Sequence, residues 1–129
     1  MDMKAIALYL YPEYNDHCIP KDVLYIVFEY LCHTEIEYYT SGEILYTISF
    51  VNGQKHGTLI YYYKSGEIRH KVPYVNGQKH GTLIYYYKSG KIMSKFPYVN
   101  GKKHGTEIIY YESGEIKYKN TYENGVKID

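Results

Sequence analysis

Beyond residue 34 the chain alternates short runs of β-branched and aromatic residues with pairs of turn formers. Runs such as "TLIYYY" and "EIRHKVPYV" carry side chains that suit a pleated surface. Each is bounded by Asn-Gly or Ser-Gly. Asn52-Gly53, Asn76-Gly77 and Asn100-Gly101 are strong hairpin signals, because both residues tolerate the positive φ of a type I′ turn. Ser41-Gly42, Ser65-Gly66, Ser89-Gly90 and Ser113-Gly114 punctuate the opposite ends of the runs. Two strands and two reversals per unit predict an antiparallel meander.

The units repeat almost letter for letter. "FVNGQKHGTLIYYYKSGEI", from Phe50 to Ile68, returns as "YVNGQKHGTLIYYYKSGKI" from Tyr74 and as "YVNGKKHGTEIIYYESGEI" from Tyr98, a period of 24 residues. A fixed period of this length marks a repeat architecture. "IEYYTSGEILYTISF" from Ile36 matches "IYYYKSGEIRHKVPY" from Ile60, so an eroded copy comes first. The expected organisation is an N-terminal segment at 1–33 and an array at 34–129. Within the array lie a partial copy at 34–49, copies at 50–73, 74–97 and 98–121, and a fragment at 122–129. About four copies suffice for neighbours to bury one another.

Turn length decides which face is the core, since a one-residue slip moves a strand's side chains to the other side. With two-residue loops at both turns, Leu59, Tyr61, Tyr63, Ile68, Val72 and Tyr74 share a face. The other face then mixes Ile60 and Tyr62 with Arg69 and Lys71. With three-residue loops, Ile60 and Tyr62 join Ile68 and Val72 instead. Asn-Gly and Ser-Gly favour the two-residue reading.

"CIPKDVLYIVFEYLC" breaks the pattern. Pro20 suits the first helical position, and Asp22 complements the positive end of a helix. Apolar residues then recur at spacings of three and four, which predicts an amphipathic helix over about 20–31. Val23, Leu24, Val27 and Leu31 would form one stripe. Its expected role is a cap on the open end of the sheet. The fold class that follows is mainly β: an elongated antiparallel hairpin meander with a short N-terminal α-helix as cap.

Composition adds three constraints. Fifteen of the 20 tyrosines lie from Tyr38 onward, so the repeat generates the excess. Net charge is +1, which argues against a dedicated nucleic-acid binder. The charge is uneven, however: residues 1–49 hold two lysines against eight acids, and residues 50–129 hold thirteen bases against six acids. Two cysteines cannot build a disulfide framework. The helix would also separate Cys18 from Cys32 by roughly 20 Å, at about 1.5 Å per residue, so both are expected as free thiols. No apolar run is long enough to span a bilayer. Lys4 and "AIALYLY" resemble a secretory leader, but Pro12 and Glu13 follow at once without a small-residue cleavage site. A cytoplasmic location is expected.

Little in the array suggests catalysis. His56, His80 and His104 recur in Lys-His-Gly contexts, but equivalent positions sit two strands apart, roughly 9.6 Å at about 4.8 Å per strand. One zinc ion needs every ligand nitrogen within about 2 Å. Turn-flanking, solvated histidines are expected, with no metal. The same spacing separates any acid–base pair built from equivalent positions. No nucleophile motif or phosphate loop is present. No cofactor and no enzymatic activity are expected. Lys55, Lys79, Lys102 and Lys103 flank one set of turns, and Lys71, Lys95 and Lys119 recur along the second strand. They keep a tyrosine-rich sheet soluble, or offer an anionic partner a surface with tyrosines available for stacking.

Asn-Gly-x-x-x-Gly-x-x-x-x-Tyr-Tyr-x-x-Gly, recurring over 34–129, resembles the membrane-occupation-and-recognition-nexus (MORN) repeat, especially its bacterial and viral variant. The resemblance implies an elongated hairpin array that serves as a scaffold or binding surface without catalytic residues. The stretch from Ile19 to Leu31 resembles the opening of an F-box, with Ile19, Pro20, Val23, Leu24, Val27, Phe28 and Leu31 at its marked positions. That implies recruitment of a Skp-type ubiquitin-ligase adaptor. The match is truncated, since the repeats begin where an F-box continues, and the chain lacks tryptophan. The combination resembles proteins of giant DNA viruses that infect amoebae, which would place the chain in host cytoplasm or in the virion. The leading expectation is protein binding through Tyr61, Tyr62, Tyr63, Tyr85, Tyr86, Tyr87, Lys55, Lys79 and Lys103. Two alternatives stand beside it: an adaptor hook on the helix, and attachment to acidic membrane through the lysines.

Overall fold

The computed structural model describes residues 9–10 and 21–129. Helix α1, Lys21–Leu31, runs directly into strand β1, Cys32–Tyr38. Each following unit contains a long strand, a two-residue strand and a six-residue strand. These are β2 Ile44–Val51, β3 Gln54–Lys55 and β4 Gly57–Tyr62; β5 Ile68–Val75, β6 Gln78–Lys79 and β7 Gly81–Tyr86; β8 Ile92–Val99, β9 Lys102–Lys103 and β10 Gly105–Tyr110. β11 Ile116–Glu123 and β12 Val126–Lys127 close the chain. All pair antiparallel in one sheet of order β1-β2-β4-β5-β7-β8-β10-β11-β12, with β3, β6 and β9 on β2, β5 and β8. The meander expected from the turn signals is the observed fold.

The two turn types differ in length, and the difference corrects the sequence reading. Val51 pairs with Gln54 around Asn52 (φ 51°) and Gly53 (φ 73°), a two-residue loop with both residues left-handed. At the Ser-Gly end, Gly66 N–H donates to the Tyr63 carbonyl (2.9 Å) and Tyr63 N–H to the Glu67 carbonyl (2.8 Å). Three residues, Lys64-Ser65-Gly66, therefore form the loop, and Ile68 faces Tyr62, not Tyr63. A bulge between Tyr61 and Tyr62 then absorbs the slip, so Tyr61 faces His70 and Leu59 faces Val72, as two-residue loops would also have placed them. Both proposed registers occur in one hairpin, on either side of the bulge.

The core is one face of this single sheet. Ile48, Leu59, Val72 and Leu83 are buried, and Tyr46, Phe50, Tyr61, Tyr74, Tyr85, Phe96 and Tyr98 pack against them. Adjacent repeats are also stitched at both margins. At the Asn-Gly margin, Gly77, Gly101 and Gly125 N–H donate to the carbonyls of Lys55, Lys79 and Lys103 (2.8–2.9 Å). At the Ser-Gly margin, the hydroxyls of Tyr39, Tyr63 and Tyr87 donate to the carbonyls of Tyr62, Tyr86 and Tyr110 (2.8–2.9 Å).

At the first repeat α1 takes over the stitching: the Leu31 carbonyl accepts from Asn52 N–H at 2.7 Å. Val27 is 1% exposed and Val23 8%, while Ile26 is 53% exposed, so the helix buries one side. Leu24 and Leu31 are half-buried. Ile19, Pro20 and Cys18 lie outside the described residues, as does the side chain of Phe28.

Gly57 and Gly81 occupy the same place in successive repeats, where the chain kinks into its six-residue strand with φ of +90° and +110°. A Cβ at Gly81 would stand 3.1 Å from Cγ of Pro73, whereas at Gly57 it would meet nothing within 4 Å. Both alanine variants carry left-handed strain, worth about 1–3 kcal/mol. Gly81→Ala is expected to lose more stability than Gly57→Ala in urea denaturation, and Pro73→Ser in the Gly81→Ala background to recover the difference. Equal losses would show that the Pro73 contact is immaterial.

Candidate binding surface

Cross-strand pairing places side chains in straight rows across the sheet. One row runs Glu37–Tyr46–Tyr61–His70–Tyr85–Ser94–Ile109–Tyr118 on the core face. On the opposite face Ile36–Thr47–Ile60–Lys71–Ile84–Lys95–Ile108–Lys119 alternates isoleucine and lysine after its second member. Period-2 alternation along each strand and a fixed register across them produce both rows.

Rings pack against one another along the first row, stacked at Tyr61–His70 and tilted on either side. Tyr46 and Tyr61 lie 5.2 Å apart, Tyr61 and His70 4.4 Å, and His70 and Tyr85 4.8 Å. Tyr85 then meets Phe96 edge-on at 5.9 Å. Such spacings fall in the attractive range for aromatic pairs. Burial, with a smaller push from the Arg69 charge, holds the His70 imidazole below its ordinary pKa. Its Nδ1 is buried without a hydrogen-bond partner among the described residues. At the start of the row the Tyr46 hydroxyl donates to Glu35 at 2.7 Å, and that bond heads the causes that push its pKa up to about 12.

Lysines border this row on the Asn-Gly side. The ammonium of Lys55 lies over the Tyr74 ring (5.3 Å), that of Lys79 over Tyr98 (5.1 Å), and that of Lys103 over Tyr122 (4.7 Å) and Phe96 (5.0 Å). These are cation–π distances. Lys103 also binds Glu107 at 2.8 Å. Burial pulls the Lys103 pKa down, but the hydrogen bond and charge of Glu107 outweigh it and raise the value. Lys79, Leu83, Tyr85, Phe96, Tyr98 and Lys103 line a shallow groove. Lys71 and Lys95 sit on the other face, over Tyr86 and Tyr110 at 5.9 Å each.

The residues singled out from sequence therefore separate. Tyr61 and Tyr85 share the core face with Lys55, Lys79 and Lys103. Tyr62 and Tyr86 lie beyond the bulge, and Tyr63 and Tyr87 spend their hydroxyls on stitching. The histidine column is exposed, yet each Nδ1 accepts from the next turn's asparagine N–H: His56 from Asn76 (3.5 Å), His80 from Asn100 and His104 from Asn124 (3.4 Å). Among the described residues no three metal-ligating side chains are grouped, and no helix is long and apolar enough to cross a membrane.

The profile of the MORN repeat variant matches residues 34–52, 55–76, 79–100 and 103–124. The chain belongs to this family. Its four MORN copies cover most of the chain, and MORN repeats serve as scaffolds or binding modules. The chain matches no curated protein. Within the MORN array, sequence reasoning passed over His70, Ser94, Phe96, Tyr98 and Glu107. The signal was present as departures from the period: Ser94 stands where Tyr46, His70 and Tyr118 stand, and Glu107 where Leu59 and Leu83 stand.

The depressed pKa of His70 has a signed consequence. The unfolded chain protonates this residue near its ordinary value of about 6.5, whereas the folded chain resists until lower pH. Its contribution is complete above that value and is lost as pH falls through it toward the folded pKa. Thermal melts at pH 7.5 and 5.5 are expected to show a smaller loss for His70→Phe than for wild type. Identical losses would remove His70 from the acid response.

Proposed function

We propose that the MORN array is a non-enzymatic protein-binding scaffold that receives its partner on the ring row and its lysine border. The observation that carries this is the groove between Lys79 and Lys103, floored by Leu83, Tyr85, Phe96 and Tyr98. Half-buried aromatic rings next to cations combine the apolar area and the polar direction that interfaces use. The division of the lysines supports a protein over an acidic membrane: Lys55, Lys79 and Lys103 lie on one face and Lys71, Lys95 and Lys119 on the other. Burial of Val23 and Val27 supports α1 as a cap in preference to a hook for a Skp-type adaptor.

A photo-reactive benzoylphenylalanine replacing Tyr98 probes the groove along the lysine border, and the same group replacing Ile84 probes the opposite face. The resemblance to giant-virus proteins sets the choice of lysate, which is amoebal. A discrete cross-linked protein is expected at position 98, competed by excess wild-type chain, and absent at position 84. No adduct at 98, or the same adducts at both positions, would refute the reading.

A further inference from the structure

The ring row is interrupted at one rung. From Tyr46 to Tyr85 every position carries a ring, and 24 residues to either side of Ser94 stand His70 and Tyr118. Ser94 itself is buried, 4% exposed, and Ile109 is its neighbour in the row. On its far side Tyr85 meets the Phe96 ring edge-on, at an interplanar angle of 86°. A hollow lined by Tyr85, Met93, Ser94, Phe96 and Ile109 lies at the gap, with mostly apolar walls. It shares Tyr85 and Phe96 with the groove that runs to Lys79 and Lys103.

We propose that this gap is a docking notch for an aromatic side chain, phenylalanine or tyrosine, carried on an acidic peptide segment of the partner. The inference rests on the protein-binding reading above and names the chemistry of what binds. A planar ring suits the notch because one of its walls is the Tyr85 ring, whose other side already packs against the His70 ring at 4.8 Å. The acidic flank follows from charge. Lys103 is paired with Glu107, whereas Lys79 has no carboxylate partner among the described residues, and the array from residue 50 onward carries thirteen bases against six acids. A carboxylate next to the inserted ring reaches toward Lys79 along the groove.

The experiment titrates the full chain with three blocked pentapeptides, followed by NMR shifts of the amides of Ser94 and Phe96. Their sequences are Glu-Glu-Phe-Glu-Glu, Glu-Glu-Ala-Glu-Glu and Lys-Lys-Phe-Lys-Lys. The first is expected to bind about tenfold more tightly than either of the others, a difference near 1.4 kcal/mol. Ser94→Tyr restores the missing rung with a residue the repeat already uses there. It is expected to melt no lower than wild type and to lose the first peptide at least about tenfold. Lys79→Gln, which leaves the notch intact, is expected to weaken the first peptide and not the alanine one. Equal affinity for the phenylalanine and alanine peptides, or unchanged binding by a folded Ser94→Tyr chain, overturns the notch. If Ser94→Tyr fails to fold, the peptide comparison on wild type still decides. Should the peptides fail while the cross-link at position 98 persists, the notch falls and the scaffold stands; loss of both removes the scaffold as well.

Discussion

Among the described residues the sheet has no second layer of strands against which to bury a face, so each repeat must be held by the next. The bond that does this most directly is the backbone donation from each Asn-Gly turn to the lysine carbonyl of the preceding turn, as from Gly77 to Lys55. It is matched at the other margin by a tyrosine hydroxyl reaching the following repeat's backbone, as from Tyr63 to Tyr86. Each such bond has a net worth of about 1 kcal/mol, modest alone and repeated at every junction. Between the margins, buried aliphatic residues and packed rings fill the span. Stability in such an array is a sum of repeats and nearest-neighbour junctions, and the helix supplies the first junction through Leu31.

The same constraint explains why aromatic and cationic residues recur together. A strand in one layer needs long side chains to cover its short apolar ones, and tyrosine does this while keeping its hydroxyl at a polar margin. Lysine lays its ammonium over the neighbouring ring, as Lys55 does over Tyr74 and Lys79 over Tyr98, so the ring faces stay covered. Where the period is kept, this cover closes on itself. Where it lapses, at Ser94 and Glu107, the face acquires a hollow and a buried carboxylate paired with half-buried Lys103. Both features lie where the repeat departs from its own rule.

Most of the fold was legible in the sequence because turn chemistry is local. Asn52-Gly53 states its own length, and the 24-residue period transfers that statement to every copy. Ser65-Gly66 does not: Gly66 suits a two-residue loop and a three-residue loop equally, and only the bulge at Tyr62, forced by the need to return Leu59 and Val72 to one face, reconciles them. The site was less legible. That Tyr63 is spent on a junction while Tyr61 stacks on His70 depends on contacts between repeats, which no single copy displays. The role of His80 as an acceptor for Asn100 was hidden for the same reason.

Coupling between neighbouring repeats is what holds the array together. Inserting one additional copy of residues 74–97 after Pro97 adds a full repeat and one junction without altering any other. Urea denaturation of this chain beside the wild type, read by tyrosine fluorescence and by circular dichroism, measures the coupling directly. The predicted result is a single transition with a higher midpoint and a steeper slope, because the added surface unfolds with the rest. An unchanged midpoint, or a second separate transition, would contradict it.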